Sequence, residues 1–159
     1  MSRFTFTAVD VADTVRLGAA LAELLPDSTV IALCGTLGAG KTRLVQAVAV
    51  GCGIAVEDVV SPTFTLCQEY RGRRAINHFD AYRLRDDDEF LELGPDEYFD
   101  APALTFVEWG DRVLGCLPRE RLEIHIEVTG ETARTFEIIG TGKLAAVVNE
   151  LAQRLTAAE

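Results

Sequence analysis

Residues 28–42 read STVIALCGTLGAGKT, a β-branched apolar run that stops at a glycine-rich turn. Apolar residues at consecutive rather than alternate positions suit a strand covered on both faces. The last eight residues, Gly35 to Thr42, satisfy the phosphate-loop pattern G-x-x-x-x-G-K-T in full. Glycines at 35, 38 and 40 let the backbone curl so that successive N–H groups face one point. A helix starting near Lys41 adds the positive end of its dipole there. Lys41 can then bridge the β and γ phosphates of a nucleotide, and the Thr42 hydroxyl can ligate Mg²⁺. The spacing predicts a buried strand, a phosphate-holding loop and a helix to about Val50, before the breakers Gly51 and Gly53. It leaves open what the cleavage or transfer of phosphate accomplishes.

The rest of the chain interleaves strands and helices. RFTFTA (3–8) alternates as a strand, and 10–25 carries an amphipathic pattern with Asp10 as N-cap. TFTLCQEY (63–70) and RAINHF (74–79) flank RGR as a hairpin, and 86–99 reads as a helix interrupted at Gly94-Pro95. ALTFVEW (103–109) is a second buried strand, RLEIHIEV and RTFEIIG form a late antiparallel pair, and 142–156 closes with a helix. The fold class is α/β, a P-loop NTPase-like three-layer sandwich with a mixed parallel and antiparallel sheet, in a single domain over residues 1–159.

Composition narrows the function classes. The formal net charge of −10 repels a polyphosphate backbone, so nucleic acid is expected to be met through a partner or a local basic patch. In this acidic chain the best such patch is RGRR (71–74), whose alternative is a solvated hairpin tip. The four cysteines, Cys34, Cys52, Cys67 and Cys116, lack C-x-x-C spacing, and only His78 and His125 could add nitrogen ligands, so no zinc site is expected. No apolar run reaches the roughly 18 residues of a membrane span, and the N-terminus lacks a signal-peptide core. A cytoplasmic protein with reduced thiols and no membrane partner is the expectation.

A nucleotide-bound Mg²⁺ takes a further protein oxygen, usually from an acid ending a strand beside the loop strand. Hydrophobicity favours Glu108, which ends the apolar run ALTFV, over Asp80, which ends the half-polar AINHF. The second run looks like an exposed hairpin strand, with Asp80 and His78 as a surface pair on one face. Thr63, after the stiff Ser61-Pro62, is either a sensor of the γ-phosphate or the first residue of a strand. Trp109 is either core or part of the site. The acids DDDE (86–89) read as a solvated helix start rather than a metal cluster.

Four blocks, LCGTLGAGKT, VSPTFTLCQEY, HFDAYRL and VEWGDRV, occur in this order between residues 33 and 113. Together they resemble the TsaE (YjeE) family, bacterial P-loop ATPases needed for threonylcarbamoyladenosine formation on tRNA. The resemblance implies that Gly35, Leu37, Gly38, Ala39, Gly40, Lys41 and Thr42 hold ATP, with Thr42 on Mg²⁺. It implies that Glu108 serves the metal and hydrolysis, that Asp80 is a second site acid, and that Thr63 is the switch-like threonine. Trp109 would flank the site, while Thr14 and Arg134 would line the adenine. Two letters depart from the family's common GDLGAGKTT: Thr36 replaces an acid, and Arg43 replaces a hydroxyl beside the nucleotide. The family binds a TsaB–TsaD complex, which makes the transfer to adenosine beside the anticodon, and hydrolyses ATP slowly to permit repeated turnover. Contact with tRNA would be indirect.

Two other readings compete. A GTPase would need an N/T-K-x-D segment, which the sequence lacks. A small-molecule P-loop kinase would use Asp80 to align an acceptor and Arg83 or Arg85 as lid residues. A non-catalytic, nucleotide-gated docking module would use ATP only to control binding.

Overall fold

The apolar run ahead of the glycine-rich loop forms β2 (Val30–Cys34), and all five of its residues are buried. The computed structural model describes residues 1–60 and 66–157. Seven strands form one sheet in the order β1-β7-β6-β2-β5-β4-β3, which puts β2 at its centre. The remaining strands are β1 (Ser2–Ala8), β3 (Cys67–Arg71), β4 (Ala75–Asp80), β5 (Ala103–Glu108), β6 (Leu122–Val128) and β7 (Arg134–Gly140). Both neighbours of β2 run parallel to it, β5 in the register Val30↔Thr105 and β6 in the register Ile31↔Leu122. β4 is parallel to β5, while the pairs β3–β4, β6–β7 and β1–β7 are antiparallel, giving the mixed sheet expected.

Helices α1 (Val11–Leu24), α2 (Lys41–Gly51) and α5 (Leu144–Ala157) cover one face with the larger apolar cluster, including Leu17, Leu44, Val48, Phe106, Phe136 and Leu151. The short helices α3 (Asp87–Leu91) and α4 (Pro95–Asp100) cover the other, where Phe79 meets Phe90, Tyr98 and Phe99. Three layers result. Asp10 caps α1 as its sequence position suggests, accepting from the Asp13 N–H at 3.2 Å, and Asp13 returns the bond by accepting from Val9 N–H at 3.0 Å. The first bond satisfies a backbone donor that the first turn leaves over, and the second ties the residue ahead of the cap to the helix.

β4 differs from expectation. It is an interior strand, buried from Ile76 to Asp80, although Asn77 and His78 make it half polar. Asn77 finds its partners in the Thr105 hydroxyl and the Tyr98 carbonyl, each at 3.4 Å. The hairpin tip differs as well. Arg73 donates to Gly51 O at the end of α2, and Arg74 donates to Ala22 O of α1 at 2.7 Å and to Asp27 at 3.0 Å. These two arginines tie the hairpin to two helix C-terminal ends, where cations are favoured. Both are thereby engaged within the fold, while Arg71 stays exposed.

α1 and α2 approach closely because glycine faces alanine twice. A Cβ on Gly18 would lie 2.4 Å from Ala47 Cβ, and one on Gly51 would lie 2.7 Å from Ala22 Cβ. Helix propensity alone would favour Gly18→Ala by about 1 kcal/mol. Overpacking against backbone as well as side chain costs about 1–3 kcal/mol, and it outweighs that gain because the helices would have to separate. Gly18→Ala is therefore expected to lower the urea midpoint, and Gly18→Val to lower it further; a raised midpoint in the alanine variant would refute the close-packing account.

Candidate functional site

The loop between β2 and α2 takes its shape from two positive-φ glycines, Gly38 (φ +80°) and Gly40 (φ +113°), a region L side chains rarely enter. A Cβ at either would meet nothing within 4 Å, so each borders open space. Gly40 caps α2 with no side-chain hydrogen bond. The first-turn N–H groups of the helix, which have no intrahelical acceptor, are thus left for water or a ligand, and a helix N-terminus favours an anion.

Two cavities flank the loop and share Gly38, Gly40 and Arg43. The first, of about 390 Å³, is also lined by Leu37, Lys41, Thr42, Asp80, Glu108 and Trp109. The second, of about 260 Å³, is also lined by Thr14, Ala39, Arg134 and Phe136. Arg134 donates from Nε to Ala39 O at 2.9 Å, fixing β7 to the loop. Segments as distant in sequence as α1 and β7 therefore meet across one turn. Gly35 stands at the base of the loop, where a Cβ would lie 2.8 Å from Ile126 O. Thr63 lies within residues 61–65, outside the described residues.

Lys41 is buried, and its Nζ donates to Gly35 O at 2.8 Å and Thr36 O at 2.9 Å. The same atom sits 3.9 Å from the centroid of the Trp109 ring. Burial draws the Lys41 ammonium below its ordinary value, opposed by the carboxylates of Glu108, Asp111 and Asp80. At Thr36, where an acid would be common in the resembled family, the backbone carbonyl rather than the side chain engages Lys41. Trp109 itself occupies the left-handed region (φ 59°, ψ 36°) and turns the chain off the end of β5. Tyr82 packs on it with ring centroids 4.9 Å apart, and the Arg112 guanidinium lies 5.5 Å from the Tyr82 ring.

The parallel register sets Asp80 level with Glu108 on neighbouring strands. Glu108 is 4% exposed, and its Oε2 accepts from the Thr42 hydroxyl at 2.7 Å. His78 is fully buried, and its Nε2 lies 2.5 Å from that same oxygen. The pairing of His78 with Asp80 at a surface is thus replaced by a buried contact between His78 and Glu108. Asp80 Oδ1 instead accepts from the Tyr82 N–H at 2.9 Å. Behind the imidazole, Tyr70 Oη lies 3.1 Å from His78 Nδ1 and donates to Val60 O at 2.9 Å. Burial raises the Tyr70 phenol above its usual value, so it stays a donor at neutral pH. Tyr70 and Tyr82 lie within two of the four resembled blocks, VSPTFTLCQEY and HFDAYRL, which imply no role for either. Period two from Asp80 did place His78 on the site face, but not its partner.

Of the two proposed kinase lid residues, Arg83 lines the first cavity, whereas Arg85 is exposed and paired with Glu89 at 2.5 Å. Cys34, the last residue before the loop, has its thiol pushed up to about 12, first by burial and then by Asp111, and so stays protonated.

Residues 8–136 match the family described as "Threonylcarbamoyl adenosine biosynthesis protein TsaE". Over 126 residues the chain is 37% identical to the tRNA threonylcarbamoyladenosine biosynthesis protein TsaE of Treponema pallidum, covering 79% of this chain and 93% of that protein. The protein of the same description from Bacillus subtilis is 37% identical over 143 residues, covering 88% of this chain and 89% of its own. Its counterpart from Nostoc sp. is 43% identical over 134 residues, 81% of each chain. Among solved structures, the crystal structure of Bacillus subtilis YdiB matches with a TM-score of 0.79 at 28% identity, covering 96% of both chains. With a nucleotide-type loop at the centre of this fold and a match over most of its length, the chain belongs to the TsaE family of tRNA threonylcarbamoyladenosine biosynthesis proteins.

Proposed function

We propose that this chain binds ATP with Mg²⁺, hydrolyses it slowly, and so supports threonylcarbamoyl transfer to the adenosine next to the tRNA anticodon. It acts on a TsaB–TsaD type complex and does not make the transfer itself. The observation that carries this reading is the 2.7 Å contact between the Thr42 hydroxyl and a buried Glu108 at the mouth of the glycine loop, with Asp80 level beside it. Hydroxyl and carboxylate oxygens are the hard donors that Mg²⁺ selects, so the residues present fit that ion. When bound, Mg²⁺ neutralises charge on the β and γ oxygens of the nucleotide.

The loop from Gly35 to Thr42 holds the phosphates with backbone N–H groups. Lys41 leaves the Gly35 and Thr36 carbonyls to meet the β and γ phosphates, a move of one flexible side chain within a fixed loop. Thr42, Glu108 and Asp80 hold the metal side, and Glu108 also serves hydrolysis. Thr63 senses the γ-phosphate. Thr14, Arg43 and Arg134 border the adenine side, and Trp109 walls the cleft over Lys41. The chain works as one domain in the cytoplasm, where tRNA is modified. Among the described residues no helix is long and apolar enough to cross a membrane. The net charge of −10 and the engagement of Arg73 and Arg74 with helix ends support contact with tRNA through the partner complex.

Mixing the protein with TsaB, TsaD and tRNA tests this directly: ATPase stimulation and dependence of the modification on this chain are expected together. Phosphate transfer to a small acceptor without stimulation would instead identify a kinase. Lys41→Ala should abolish measurable ATP binding by calorimetry while the melting curve stays cooperative; unchanged affinity would sink the phosphate assignment. Glu108→Gln should retain ATP binding and lower turnover about 100-fold or more, the scale of a lost acid–base group. Normal turnover with lost complex assembly would mean that ATP only gates docking.

A further inference from the structure

We propose that His78 is a positioning residue that fixes the Glu108 carboxylate against Thr42, with Tyr70 tying the imidazole to the backbone at Val60. This deepens the nucleotide reading above and rests on it.

His78 is fully buried on the strand face it shares with Ile76 and Asp80. A buried imidazole needs partners for both nitrogens, because a buried polar atom left unsatisfied forfeits its water without replacement. It has both: Glu108 Oε2 at 2.5 Å from Nε2, and Tyr70 Oη at 3.1 Å from Nδ1. Both contacts to Glu108, from His78 and from Thr42, fall on the same oxygen, Oε2. Together they fix the rotation of the carboxylate and leave Oε1 as the oxygen available to a further ligand.

The chain of contacts closes on itself. Tyr70 donates to Val60 O, and the neighbouring Val59 O accepts from Gln46 Nε2 at 3.1 Å. Gln46 and Thr42 are four residues apart on α2, hence on one face of that helix. A ring thus runs from Thr42 through Glu108, His78, Tyr70 and the Val59–Val60 backbone to Gln46 and back along α2. Glu108, His78 and Tyr70 in it are buried, and it reaches the surface at Val60. Groups that orient a metal-binding carboxylate from behind typically change metal affinity or activity 10–100-fold when removed. A histidine that only fills space would have no such effect.

The test uses the full chain, with Mn²⁺ as the probe and ATP present. Mn²⁺ binding is read by electron paramagnetic resonance, metal-free ATP binding in EDTA by calorimetry, and turnover separately. His78→Ala is expected to weaken Mn²⁺ binding about tenfold and to lower kcat by a similar factor. Metal-free ATP affinity should stay within about twofold of the parent protein, because the imidazole faces the metal side of the site. His78→Gln, whose amide can donate near the Nε2 position, should recover most of the Mn²⁺ affinity. Tyr70→Phe, which keeps the ring and loses the hydroxyl, should weaken Mn²⁺ binding in the same direction by less. In a Glu108→Gln background, His78→Ala should have no further effect on Mn²⁺, since the group it positions is already changed. The proposal is overturned if folded His78→Ala and Tyr70→Phe proteins match the parent in Mn²⁺ affinity and turnover, the alanine variant lowering only the melting temperature. If the parent binds neither ATP nor Mn²⁺ with ATP, it is the nucleotide reading that fails, and the His78 proposal falls with it.

Discussion

A carboxylate held almost entirely out of water at the end of β5 sets terms that the rest of the structure has to meet. Removing such a charge from solvent costs several kcal/mol unless hydrogen-bond donors replace the lost water. Glu108 has both the Thr42 hydroxyl and His78 at its Oε2. Supplying both depends on Thr42 standing in the first turn of α2 and on β4 lying parallel to β5 in its observed register. A one-residue slip of β4 would turn His78 to the opposite face, since side chains alternate along a strand. The position of one acid therefore links the central strands to the loop helix.

In the same cavity as Glu108 a second constraint is aromatic. Lys41, Trp109, Tyr82 and Arg112 form a column in which two cations flank two rings. Contacts of this kind contribute about 0.5–2 kcal/mol each, more where water is excluded. They help offset the roughly 1–2 kcal/mol of holding a non-glycine residue, Trp109, in the left-handed region. The lysine is thereby kept close to the loop while its donors rest on carbonyls of that same loop.

Much of this was legible in the sequence. The glycine loop, the doubly buried β2, the capped α1 and the break at Gly94-Pro95 depend on local chemistry, which short stretches carry in full. The misreadings share one cause. Asn77 and His78 made β4 look exposed because polar side chains usually face water, yet their partners, Thr105 and Glu108, lie about thirty residues downstream. Arg73 and Arg74 looked free for the same reason: the carbonyls they cap belong to helices elsewhere in the chain. A single residue type cannot announce a partner that only the fold brings near. Period two fixed the face of His78, and only the sheet order revealed what lay across from it.

The strand order has a further consequence for how the chain reaches this state. β2 is made early in synthesis, but both strands that flank it, Ala103–Glu108 and Leu122–Val128, emerge much later. Parallel pairing across such separations is slow, because the entropy of closing the intervening chain is lost before the contacts form. An apolar strand with two unpaired edges is meanwhile open to misassociation. The glycine loop can take its final shape only once β6 and β7 have arrived, since Ile126 and Arg134 border it. Whatever ligand the loop holds will therefore bind only the finished sheet, and will draw late folding intermediates toward it by mass action.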